Sequence, residues 1–139
     1  MDDRLIAGES AVSLLDRPIR AGVATGAVHA VIAASLWTGF GFEGFGRLLA
    51  TEPAFLAYVL SGMILLGAIP GVCYATWRSV APALLIGGSL CLSAAGTWAV
   101  VRDGLTPVDP TPFGWYVLLW VGIAVVATAA GLVEHWVRR

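Results

Sequence analysis

The chain has 139 residues, of which 58% are hydrophobic and only 12% charged. A soluble domain of this size needs more polar surface than that to stay dispersed. A formal net charge of −1 removes any electrostatic case for a nucleic-acid partner.

Runs of roughly 20 apolar residues cross the ~30 Å hydrocarbon layer of a bilayer. Four such runs fill nearly the whole chain, whose mean hydropathy is +0.84. The expected fold is all-α: a transmembrane bundle of four helices, up-down-up-down, with the bilayer as its first partner. Residues 1–20 form a polar tail, either a short helix on the membrane surface or a frayed terminus. Its acidic opening is unlike a cleaved signal peptide. Pro18 is expected to break this segment before the membrane.

The first span covers residues 21–42. Gly22, Gly26, Ala30 and Ala34 recur every four residues and predict a smooth packing face. His29 is the only ionisable residue inside any of the four runs. Residues 39–53 alternate Gly with Phe and then turn amphipathic, which predicts an interfacial loop. This loop lacks the residue order of a phosphate-binding loop.

The second span covers residues 54–76. Gly67 and Gly71 form a GxxxG pair with Pro70 between them. Pro70 should kink the helix and free the Leu66 carbonyl. After a tight turn at residues 77–79, the third span covers residues 81–101. Ser89, Ser93 and Thr97 share one of its faces, predicted to bond to its own backbone or to a neighbouring helix.

Residues 102–112 hold three prolines and read as a stiff polar loop. Asp103 and Asp109 alone do not make a cation site. The fourth span covers residues 113–133. Arginine counts orient the bundle: with the N-terminus inside, inner segments hold six arginines and outer loops only Arg47 and Arg102. Both termini are therefore expected in the cytoplasm, with the chain in the cell membrane. Trp37, Tyr58, Trp98, Trp115 and Tyr116 fall near outer span ends, and Tyr74, Trp77 and Trp136 near inner ones.

All eight basic residues are Arg, and the chain opens Met-Asp-Asp-Arg. In this composition the chain resembles small uncharacterised four-helix membrane proteins of halophilic archaea, a resemblance that implies no activity. In size and layout it is also similar to the small multidrug-resistance transporters. Those carry an essential acidic residue in the first span, where this chain has His29.

Counted from span ends, Gly67, Ser89 and Thr128 lie at the depth of His29. A buried imidazole needs hydrogen-bond partners. Ser89, Thr128 or the Leu66 carbonyl should supply them. These residues form the candidate intramembrane polar site. His29 and His135 do not bracket one site, so no haem is expected, and no other cofactor or metal. Cys73 and Cys91 differ in depth by roughly 10 Å, too far for a disulfide, and read as packing residues. No catalytic constellation can be assembled, so the expected role is that of a non-enzymatic subunit or accessory protein. Its partner would be another copy of the chain or another membrane protein. The alternative is a small proton-coupled carrier acting as a dimer, with His29 titrating.

Overall fold

The computed structural model describes residues 3–104 and 111–139, and the side chains from residue 16 onward within them. The expectations for Pro107, Asp109 and Pro110 lie outside the described residues. Six helices are described: α1 (Asp3–Gly39), α2 (Phe45–Thr51), α3 (Pro53–Trp77), α4 (Ala81–Arg102), α5 (Pro112–Leu118) and α6 (Trp120–Val137). Four stretches are long and apolar enough to cross a membrane: Asp16–Gly39, Pro53–Trp77, Ala81–Arg102 and Trp120–Val137.

α1 departs from expectation. It runs 37 residues without interruption and carries Pro18 inside it. Proline there forfeits one bond, to the Leu14 carbonyl, and at the polar end of the helix water can take that acceptor. The buried positions among the described side chains of α1 are Gly22, Gly26, His29, Ala33 and Trp37. Steps of three and four keep them on one face. The every-fourth-residue stripe therefore holds only for Gly22 and Gly26. A helix has 3.6 residues per turn, so Ala30 and Ala34 drift to the edge of the face. There they pack, partly buried, against the core.

That face lies on α3. A Cβ at Gly67 would collide with His29 Cβ and the Thr25 carbonyl, and one at Gly71 with Thr25 Oγ1 and the Ala21 carbonyl. Conversely, a Cβ at Gly26 would stand 2.9 Å from the Ile64 carbonyl oxygen. Each helix thus supplies glycines where the other's backbone arrives, the packing that bilayer interiors favour. The stripe is consumed inside the molecule and does not stand exposed.

α3 is the hub. It lies against α1, α4 and α6, and α4 also packs on α5 and α6. Its buried residues, including Leu56, Val59, Met63, Leu66 and Cys73, recur at steps of three and four on one broad face, while Leu60, Ile64 and Leu65 on the other side stay exposed. No other helix meets α1 as extensively as α3 does.

The fourth apolar run is interrupted at Leu119, where a single straight helix was expected. No proline or glycine sits at the break. The Tyr58 hydroxyl donates to the Leu118 carbonyl at 2.6 Å, a side chain inserted into the helical ladder. Trp120, just beyond the break, packs on α3, where a Cβ at Gly62 would come 2.6 Å from its ring.

Candidate functional site

His29 is buried where α1, α3 and α5 meet. Its Nδ1 donates to the Met63 carbonyl at 2.6 Å. Its Nε2 lies 2.8 Å from the Tyr116 hydroxyl. A carbonyl can only accept, so Nδ1 carries the proton. In a neutral ring Nε2 is then an acceptor and Tyr116 O–H its donor. The arrangement fixes one tautomer and satisfies both nitrogens. A proton leaving Nδ1 could go only to an amide carbonyl, which does not pass protons on. The geometry is that of a clamp between helices.

Neither expected side-chain partner reaches the ring. Ser89 Oγ donates to the Ile86 carbonyl at 3.0 Å, and Thr128 Oγ1 to the Ala124 carbonyl at 2.8 Å. Each hydroxyl satisfies itself on its own helix. The carbonyl that His29 uses is Met63's and not Leu66's, although Pro70 does lie within α3. The difference is one of depth. The fourth span starts below the end of α4: the Phe113 N–H donates to Thr97 Oγ1 at 2.8 Å. A Cβ at Gly96 would stand 3.0 Å from Pro112 Cγ. That lower start carries Tyr116, classed by sequence as a rim aromatic, down to His29.

Above the clamp lies an aromatic cluster. Phe113 is fully buried and packs on Phe40 at 5.6 Å, Phe42 at 5.9 Å and Tyr116 at 6.2 Å between ring centroids. Trp37 stacks on Phe42 at 4.7 Å and donates its Nε1–H to the Glu43 carbonyl at 2.8 Å. The Gly/Phe loop is thereby folded onto the bundle, with α2 resting on it through buried Leu48.

At the opposite end Glu134 braces α6 to the α3–α4 turn. Its Oε2 accepts from Ser79 Oγ at 2.5 Å, Val80 N–H at 2.8 Å and Ala81 N–H at 2.7 Å. Its Oε1 pairs with Arg138 at 2.6 Å. The carboxylate so caps the first turn of α4 from another helix, where free N–H groups and the helix dipole favour an anion. Sequence reading missed this because a cap is sought in the residues just before a helix, and Ser79 and Val80 lie 55 and 54 residues from Glu134.

Between α1 and α4 a groove remains open. Its deeper half is lined by Ala24, Val28 and His29 of α1, Gly67 and Pro70 of α3, and Ala83 and Gly87 of α4. It continues past Ser35 and Gly39 toward Ala94 and Trp98. A Cβ added at Gly87 would meet nothing within 4 Å. Both cysteines are free. Cys73 is buried and Cys91 exposed, so only the first packs as expected. Among the described residues no three His, Cys, Asp or Glu side chains gather closely enough to hold a metal ion. Comparison with known protein families, curated proteins and solved structures finds no match to this chain.

Proposed function

We propose that the chain is a non-enzymatic, multi-pass protein of the cell membrane that acts as a subunit, receiving a transmembrane helix of a partner in the groove between α1 and α4. In this reading the four spans run up-down-up-down with both termini in the cytoplasm, as the six-to-two arginine count favours. The supporting observation is the open groove, whose walls carry small residues (Ala24 and Gly39 on one side, Ala83, Gly87 and Ala94 on the other) between larger ones such as Ile32, Ile86 and Leu90. Small residues let helix backbones approach closely in lipid. The same packing is already used within the molecule between α1 and α3. The occupied state of both His29 nitrogens favours a packing role for that residue over a titrating one.

The test is association in the native membrane, read after mild-detergent extraction, for the wild type and for Gly87→Leu. The added side chain enters open space, so the fold should hold. Wild type should co-purify with a stoichiometric membrane protein, and Gly87→Leu should lose it. Retention of the same partner by Gly87→Leu would overturn the groove assignment. Loss of self-association instead would make the partner helix a second copy. Proton release from the purified protein, abolished by His29→Ala, would overturn the subunit reading in favour of a carrier.

A further inference from the structure

The end of the molecule that carries both α1's polar tail and the C-terminus is rich in arginine. Arg17, Arg20, Arg78, Arg138 and Arg139 are all exposed there, against the carboxylates of Asp16 and Glu134. The opposite end has the reverse balance among the described side chains: Arg47 and Arg102 against Glu43, Glu52 and Asp103. Asp16 pairs with Arg20 at 2.9 Å and Glu134 with Arg138 at 2.6 Å. Among the described residues Arg17, Arg78 and Arg139 have no carboxylate partner.

Two of these gather at one corner. Arg138 Nη1 donates to the Arg78 carbonyl at 3.5 Å, which brings the end of α6 against the end of α3. Arg139 follows directly. Trp77 stacks at 5.9 Å on His135, and Trp136 is 82% exposed beside them. Glu134 is held by the α3–α4 turn through Oε2 and pairs with Arg138 through Oε1.

Arg78 supplies a second, independent observation. It is the C-cap of α3 in the left-handed conformation, φ 55° and ψ 24°, and the only non-glycine residue with positive φ among the described residues. Glycine or asparagine usually fills such a cap, since a side chain is strained there. A strained residue held by its surroundings is a pointer to use.

We infer that the corner where Arg78 and Arg139 meet beside the Glu134–Arg138 pair, flanked by Trp77 and Trp136, binds the phosphate headgroup of an anionic phospholipid. A guanidinium presents a planar fork that matches two phosphate oxygens. Trp rings settle at the headgroup level, where the flanking apolar helix meets water. Juxtamembrane arginines attract anionic lipid in proportion to their number.

The experiment measures lipid retained by the full-length protein after exchange into mixed micelles containing phosphatidylglycerol or phosphatidylcholine. Wild type should retain phosphatidylglycerol preferentially. Arg78→Gly removes the charge and its contact over the Tyr74 ring, 5.7 Å to the centroid, while relieving the left-handed cap, so its fold should hold. It should lower retention by about fivefold, and Arg78→Gly with Arg139→Gln by about 25-fold. Arg47→Gln with Arg102→Gln, at the other end, should leave retention unchanged. Equal retention of the two lipids, or unchanged retention in the Arg78→Gly, Arg139→Gln protein, would overturn the inference. So would displacement of phosphatidylglycerol by millimolar inorganic phosphate, which would mark a site for the free anion.

Discussion

At the scale of single residues, the clamp at His29 makes the sharpest claim. Tyr116→Phe keeps the ring and deletes the hydroxyl, leaving Nε2 without its donor. In lipid no water replaces it, and the loss should cost about 1 kcal/mol. His29→Ala removes the same bond and also the one to Met63. If the two residues act through each other, the double variant should cost less than the sum of the singles, by about 1 kcal/mol. Reversible unfolding in mixed micelles measures all three, and strictly additive costs would dissolve the clamp. Much of this site was legible in the sequence. A lone histidine within an apolar run was bound to be buried and partnered. Its partners were not legible, because counting residues from span ends assumes straight helices that all begin at the same depth. Thr97 receiving the Phe113 N–H breaks that assumption, and nothing local to residues 97 or 113 announces it.

Glycines decide matters at the scale of elements. The same residue type has opposite meanings at Gly67 and Gly87, and the sequence does not separate them. At Gly67 a Cβ meets the α1 backbone and His29, whereas at Gly87 it meets nothing. Gly67→Ala should therefore force α1 off α3 and cost about 1–3 kcal/mol. Gly87→Ala should be neutral or stabilise by up to about 1 kcal/mol through helix propensity. Unfolding of the two variants in the same micelles checks the contrast. Equal costs at the two sites would mean that α1 does not seat on α3 through its glycines. The four apolar stretches could be read from length and composition alone, since bilayer thickness sets both. The break at Leu119 could not. The Leu118 carbonyl beside it is taken by Tyr58, 60 residues earlier in the chain, and breaks of this kind carry no local proline or glycine signal.

At the scale of the whole molecule, two fastenings lie at opposite ends of the bundle. One is the aromatic cluster on Phe113, which joins the end of α1, the Gly/Phe loop and α5. The other is Glu134, which holds α6 to the start of α4. Phe113 is fully buried, so Phe113→Ala should cost about 3–5 kcal/mol through lost contact and the cavity left behind. Glu134→Ala strips an anionic cap from α4 and should cost about 0.5–2 kcal/mol. The two share no partner and sit at different helix ends, so their costs should add to within about 0.5 kcal/mol. Phe113→Ala and Tyr116→Phe are different. Their rings stack at 6.2 Å, and Tyr116 also holds His29. Once Phe113 is gone, Tyr116 loses the wall that aims its hydroxyl, and removing that hydroxyl should then cost less than it does in the wild type. Additivity across the molecule together with coupling within the aromatic end is the pattern expected of two independent fastenings joined through α3. Strong coupling between Phe113→Ala and Glu134→Ala would instead mean that α3 passes strain from one end to the other. A helix that binds the groove against α3 would then be felt at both ends.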